Sequence, residues 1–451
     1  MTKWRLVHML IHAGVPSPNR LQSLTAAEAR QLLAAGEISS VELVRACLDR
    51  IDERENVVQA WSYVDAEGAL EKAREADRIG HGDEQNGPLH GIPVGVKDIV
   101  DTADMPTLLG EPEIYAGRQP SADATLITRL RAAGAIILGK TAPSKHTIML
   151  PGKTRNPHDP TRTPGASSSG SAAAVADFMV PLAVCSQTAG SILRPATYCG
   201  VVGFKPTKDT VVYDGTRTYS PHLDTLGAMA RSVIDTALLI QGMTGDDRYG
   251  RVRPADEPLA LGLYRTPYFD QAEDYVQAHF EASVRTLRDA GVDVREVDVP
   301  AKFDHLSELQ DVVMSYDLDK VFAEHRRDHF DLLDPALIAY CEKGSRVSEE
   351  QYREALAHAE RCRAMLPEVL DGLDALLLPS TLSDAPPIST TGTSEFIRIW
   401  TFLHTPAINL PTGKSPAGLP ISVQLVGGLG ADVRFLCTAA RVDEILGREG
   451  A

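Results

Sequence analysis

The stretch from Gly91 to Lys140 opens with GIPVGVKDIV (91–100), passes through DATLITRLRAAG (123–134) and closes with AIILGK (135–140). The two flanking runs are short and almost wholly apolar, the texture of strands buried on both faces. Between them Leu126, Ile127 and Leu130 recur at helical spacing, and Gly134 supplies the residue that most readily ends a helix. Strand, helix, strand in that order predicts a parallel pair joined by a crossover, and with it an α/β sheet.

Upstream, SLTAAEARQLLAAGEISSVELVRACLDRIDE (23–53) reads as two helices broken at Gly36, with Ser39 or Ser40 placed to cap the second. Downstream, HFEASVRTLRDAGVDV (279–294) and SEEQYREALAHAERCRAMLPEVL (348–370) are charged and helical in pattern, whereas DALLLPS (374–380) and LPISVQLVG (419–427) return to strand texture. The expected plan is one large domain. Residues 1–75 form an N-terminal helical layer, 76–255 the core, 256–374 a helical insert near the pocket, and 375–451 the completion of the core sheet.

The composition, 43% hydrophobic and 24% charged over 451 residues, suits a globular chain able to bury a large core. Its net charge of −16 repels phosphate backbones and anionic lipid, which argues against a nucleic acid or a membrane surface as partner. Cys47, Cys185, Cys199, Cys341, Cys362 and Cys437 lie far apart, with no C-x-x-C pair to hold zinc or exchange disulfides. Sparse thiols of this kind fit a reducing compartment, and no metal or cofactor is expected. The start, MTKWRLVHMLIHAGVPSP (1–18), loosely imitates a signal peptide. His8 and His12 interrupt its apolar run and no small-x-small cleavage site follows, so a cytoplasmic location is expected.

Three places carry chemistry. Lys97 stands in an apolar strand, where burial disfavours the ammonium form. Either it sits at the strand end and reaches water, or it is dry and its neutral amine can serve as a base. Ser167, Ser168, Ser169 and Ser171 crowd the segment GASSSGS (165–171), which is either a linker or an amide-lined loop feeding a helix N-terminus. No P-loop pattern G-x-x-x-x-G-K-[ST] is present there. In SQTAGSILRPA (186–196), the small residues Thr188, Ala189 and Gly190 precede Ser191. Backbone N–H groups can converge there beside a hydroxyl, as an oxyanion hole requires, although a plain strand-to-helix turn would have the same residues.

Taken together, GIPVGVKDIV, GASSSGS and QTAGSILRPA resemble the three core motifs of the amidase signature enzymes, and Ser191 follows Ser167 by 24 residues, as it does in that family. The resemblance continues through NPHDPTRTPGASSSGSAAAVA (156–176), CGVVGFKPT (199–207), HLDTLGAMARSVIDTALL (222–239) and NLPTGKSPAGLPISVQLVG (409–427). That is most of the chain outside 256–374. It implies a mixed central β-sheet flanked by helices on both faces, and cleavage of a small amide C–N bond through an acyl-enzyme. It further implies Ser191 as nucleophile, Ser167 as a bridging serine after a cis peptide bond, and Lys97 as the terminal base. The N–H groups of Thr188, Ala189, Gly190 and Ser191 become the oxyanion donors. None of the 13 histidines falls in the three core motifs, so no Ser-His-Asp triad is needed.

Three positions depart from the family pattern: Ala166 and Ala189 replace glycines, and Gln187 stands where many members have aspartate. Arg194, in S-I-L-R, resembles the malonamidase-like branch, where such an arginine holds a substrate carboxylate. Pairing to an Asp or Glu beneath the pocket is the alternative. The implied partner is a small-molecule amide, ester or carbamate, and a homodimer is compatible with the resemblance. Ester or carbamate (urethane) hydrolysis, the amidase-like component of a tRNA-dependent amidotransferase, and an inactive binding homologue stay open as other functions. The pocket walls are expected from the insert and from the loops after Lys140 and Thr210.

Overall fold

The structure, a computed structural model, describes residues 18–81 and 86–447. Its strands are β1 (Trp61–Val64), β2 (Pro93–Lys97), β3 (Ile136–Thr141), β4 (Leu182–Gln187), β5 (Val202–Lys205), β6 (Thr225–Ala230), β7 (Ala260–Leu263), β8 (Asp293–Glu296), β9 (Ala375–Pro379), β10 (Ala407–Lys414) and β11 (Pro420–Val426). They build one sheet in the order β1-β3-β2-β4-β6-β5-β10-β11-β9-β7-β8. β2 lies parallel to β3 and β4, and β7 parallel to β8 and β9. The other pairings are antiparallel, so the sheet is mixed.

Side chains alternate across a strand, and both faces of this sheet are covered. Leu182 and Val184 of β4 join a core that includes Leu126 and Leu130 of the helix Thr125–Ala132, Leu239 and Ile240 of Val233–Thr244, and Leu436 of Asp432–Leu446. Ala183 and Cys185, one step along the same strand, join a second core with Ala172 and Val175 of Ser169–Ala176, Leu193 and Ala196 of Leu193–Cys199, and Leu318 of Leu306–Val321. This double burial explains why β2, β3 and β4 read as continuous apolar runs.

The N-terminal helices are Ala26–Ala34 and Ser40–Val58, with Gly36 between them at φ +69°. Ser39 caps the second helix, its hydroxyl accepting from the Glu42 N–H while Glu42 reaches back to the Ser39 N–H. Residues 1–75, expected as helical, also supply β1, which pairs with β3. The insert 256–374 likewise contributes β7 and β8 at the far edge of the sheet. β8 exposes three of its four residues, so no apolar run betrays it, as is usual for a charged edge strand. The signal-like segment lies outside the described residues, Pro18 excepted. No described helix is long and apolar enough to cross a membrane.

One buried carboxylate ties the N-terminal layer to the core. Asp235 of the helix Val233–Thr244 accepts from the N–H groups of Ala26 at 3.2 Å and Ala27 at 2.9 Å, two donors that the first turn of a helix leaves without partners. Asp235→Ala is expected to cost about 2–3 kcal/mol, because both buried donors lose a charged acceptor. A urea unfolding curve should show it as a lower midpoint at unchanged slope.

Candidate active site

Lys97 is the last residue of β2 and Gln187 the last of β4. The carboxyl ends of two adjacent parallel strands therefore meet, which is where open α/β sheets gather their ligands. Lys97 has no exposed surface, so it does not reach water. Its Nζ hydrogen-bonds Ser167 Oγ at 2.7 Å and Ser186 Oγ at 2.8 Å. Burial pulls the amine down to about 7, with Cys185 and Asp224 drawing it weakly the other way.

The Gly/Ser segment is no linker. Ser168 Oγ accepts from the Ser186 N–H at 3.2 Å and donates to the Ser186 carbonyl at 3.0 Å. Ser171 Oγ donates to the Val184 carbonyl at 3.0 Å, and the Gly170 N–H donates to the Ala142 carbonyl at 2.8 Å. A Cβ on Gly170 would stand 2.3 Å from the Ala60 carbonyl oxygen, so glycine is required there. The Ala166–Ser167 bond is cis, with alanine in the place of the family's glycine.

The turn after β4 is held from outside. Gln187, fully buried, accepts through Oε1 from the N–H groups of Ile192 at 2.8 Å and Leu193 at 3.1 Å, and donates through Nε2 to Thr401 Oγ1 at 2.8 Å. A neutral amide thus caps the helix Leu193–Cys199 and anchors the turn, which explains how an aspartate can be dispensed with. Thr401 Oγ1 donates to the Ala189 carbonyl at 2.7 Å, and Gln310 Nε2 to the Thr188 carbonyl at 3.2 Å. Thr188 Oγ1 donates to Asp224 Oδ1 at 2.6 Å. With those carbonyls engaged, the N–H groups of Ala189, Gly190 and Ser191 have no protein acceptor among the described residues. A Cβ on Gly190 would lie 2.6 Å from Ser394 Cβ, which is why that position stays glycine.

Ser191 opens onto a cavity of about 250 Å³, whose walls are Thr147–Met149, Tyr219, Met314, Leu318, the Gly392–Glu395 segment and Arg398. Thr147–Met149 and Tyr219 come from the loops after Lys140 and Thr210, and Met314 and Leu318 from the 256–374 region; the 392–398 segment joins them without any forewarning in the sequence. No hydrogen bond joins Ser191 to Ser167 among the described residues. A larger groove of about 900 Å³, bordered by Arg253, Asp374 and Arg434, contains none of these groups. No described cluster of three or more His, Cys, Asp or Glu side chains is disposed to hold a metal ion.

Arg194 also lines the cavity, but neither reading of it fits fully. It pairs with no carboxylate; its two terminal nitrogens donate to the carbonyls of Gly392 at 2.8 Å and Ala166 at 2.9 Å, leaving only Nε without a partner. Ser186 and Asp224 carry no signal of their own in the sequence, yet one holds Lys97 and the other holds Thr188. Burial raises the Asp224 carboxyl to about 6 against the pull of its hydrogen bonds. Ser186 is a small polar residue near the end of β4 and Asp224 directly precedes β6, placements with nothing distinctive in the sequence.

The Amidase family model matches residues 42–436. The A component of the glutamyl-tRNA(Gln) amidotransferase of Salinispora tropica is 33% identical over 488 aligned residues, covering 95% of this chain and 98% of that one. Among solved structures, an amidase crystal structure superposes with a TM-score of 0.86 at 29% identity, covering 94% of this chain and 100% of the other. The native peptide amidase of Stenotrophomonas maltophilia follows at 0.79 and 28%, with 94% and 97% covered. The match along nearly the whole chain, joined to a buried lysine held by serine hydroxyls, makes this protein a member of the amidase signature family.

Proposed function

We propose that the protein hydrolyses a small amide through an acyl-enzyme, with Ser191 as nucleophile, Ser167 as proton bridge and Lys97 as base. The observation that carries this reading is the dry 2.7 Å contact between Lys97 Nζ and Ser167 Oγ, next to Ala166, whose carbonyl is held by the Arg194 that lines the cavity with Ser191. A neutral amine has one lone pair for the Ser167 proton, while its own N–H is given to Ser186. Ser167 then takes the proton of Ser191 as Ser191 Oγ attacks the carbonyl carbon. The relay needs the two serine hydroxyls to close to hydrogen-bond distance, a contact that catalytic groups commonly complete only with substrate in place.

The N–H groups of the turn Thr188–Ser191 receive the negative charge that develops on the carbonyl oxygen, and their fixed orientation spares reorganisation. The proton held by Lys97 returns through Ser167 to the leaving nitrogen, the C–N bond breaks, and the amine or ammonia departs. Water, deprotonated by the same relay, then cleaves the acyl–Ser191 ester. An ester or carbamate would follow the same course. The cavity, at about 250 Å³, lies below the range of drug-sized pockets and suits a short acyl group, as the malonamidase-like S-I-L-R pattern would. Six unpaired cysteines suit a reducing location such as the cytoplasm.

A second reading, the amidase-like component of a glutamyl-tRNA amidotransferase, is favoured by the name of the near full-length Salinispora tropica relative. Purified alone, the chain should release ammonia from short aliphatic amides, and Ser191→Ala should lower that rate by several orders of magnitude with the melting temperature kept. Turnover that appears only with added partner proteins would favour the second reading.

The reactive form of Lys97 is the neutral one, and its fraction grows as pH rises through about 7. kcat/KM should therefore climb between about pH 6 and pH 8 and then level off. Lys97→Ala should flatten the residual rate over that window. A wild-type profile that is flat there would overturn the neutral-lysine relay.

Arg194→Ala should depress turnover of acidic and neutral amides alike and lower the melting temperature, since it releases the carbonyl of Ala166 beside Ser167. A loss confined to acidic amides, with stability kept, would instead make Arg194 the carboxylate anchor.

A further inference from the structure

Three charged side chains face the cavity above Ser191: Arg194, Glu395 and Arg398. What holds each of them differs. Arg194 is engaged with two backbone carbonyls. Glu395 accepts from the Ser307 hydroxyl at 3.2 Å. Arg398, at the head of the short helix Arg398–Phe402, has no side-chain hydrogen bond or ion pair among the described residues, and its Nε is buried without an acceptor. The Nε–H of that guanidinium is therefore a buried donor left unanswered, which costs free energy that a ligand accepting from it can recover.

Two guanidinium groups against one carboxylate leave the cavity with an excess of one positive charge, inside a chain whose net charge is −16. A fixed charge of that sign in a concave site attracts an anion, and a single excess charge is answered by a monoanion rather than a phosphate dianion. The planar fork of a guanidinium matches a carboxylate with two parallel hydrogen bonds. Met314 and Leu318 line the same small space and offer apolar surface to a few methylene groups. Resting on the amide-hydrolase reading above, we infer that Arg398 receives a carboxylate on the acyl part of the substrate. The substrate class is then the monoamide of a short dicarboxylic acid. The arginine of the S-I-L-R pattern is occupied; the free one lies outside every motif.

The test uses a serine-directed fluorophosphonate, whose rate of labelling of Ser191 falls when the cavity is filled. Succinamate and its neutral counterpart of equal length, butyramide, serve as protecting ligands. Succinamate should protect the wild type at far lower concentration than butyramide. Arg398→Ala should raise the protecting concentration of succinamate roughly 30-fold, the scale of a lost buried charge pair. The shift for butyramide should be at least about tenfold smaller. Arg398→Gln, which keeps the bulk, should match alanine; Arg398→Lys should recover part of the effect, and Glu395→Gln should strengthen succinamate protection. Equal protection of the wild type by both ligands, equal shifts in Arg398→Ala, or weakened succinamate protection in Glu395→Gln would overturn the assignment. Failure of unprotected wild-type Ser191 to label at all would instead overturn the acyl-enzyme reading on which the assignment rests.

Discussion

A lysine amine in a dry place, answered by hydroxyls and by no carboxylate, is the constraint on which the rest of the site depends. Three lysines in this sheet are wholly buried: Lys97, Lys140 and Lys205. Burial pulls all three below the usual lysine range, to about 7, 8 and 7, so depressed basicity alone does not mark the functional one. Their partners do. Lys140 Nζ donates to the carbonyl of Val100 at 2.6 Å and stands 3.8 Å from Asp98 Oδ1, surroundings that answer a cation. Lys205 Nζ donates to the Pro206 carbonyl at 2.9 Å. Carbonyls and carboxylates only accept; a hydroxyl both gives and takes. Of the three, Lys97 is the one held by serine hydroxyls alone, partners that can give a proton as well as take one.

That contact needs the Gly/Ser segment to sit still, and the surrounding sheet provides the means. Ser168 and Ser171 fasten the segment to β4, and Gly170 lets it approach the backbone of Ala60 and Ala142 closely. Ser186 belongs to both sides of the arrangement. Its backbone holds Ser168 while its hydroxyl holds Lys97. Lys97, Ser186 and Ser167 therefore come from β2, β4 and one loop between them, all fixed by hydrogen bonds within a few residues of the strand ends. Preorganisation of this kind is what makes fixed donors worth more than mobile water around a developing charge.

The same locality explains what the sequence discloses. GIPVGVKDIV and AIILGK announce buried strands because both faces of the sheet are covered, and Gly134 and Ser39 mark helix ends by their own backbone and hydroxyl chemistry. Lys97, Ser167 and Ser191 stand out as candidates because the three motifs that hold them resemble those of a family, and close approach dictates glycine at Gly170 and Gly190 within two of them. β8 is not legible, since an exposed Asp-Val-Arg-Glu strand has the composition of a loop. Ser186 and Asp224 escape notice because their roles arise from partners far along the chain. The cavity wall escapes for the same reason: Tyr219, Met314 and Arg398 meet only in the folded chain, and no local spacing records it. Chemistry written into adjacent residues can be read from sequence, whereas substrate choice written across distant segments cannot.

Arg194 joins these two kinds of information. Its backbone follows the turn that presents Ser191, and its N–H donates to the Gly190 carbonyl at 3.0 Å. One terminal nitrogen holds Ala166, the residue before the bridging serine, and the other holds Gly392, which leads into Ser394 and Glu395 of the wall. Gly392 is itself confined, at φ +70°, with a Cβ there standing 2.2 Å from the Tyr198 hydroxyl. A single buried guanidinium thus joins the backbone before Ser167 to the cavity wall at Gly392, and neither can shift without straining a charge-assisted hydrogen bond to the other. That hold on two backbone segments is reason enough for a buried arginine at 194 that meets no carboxylate among the described residues.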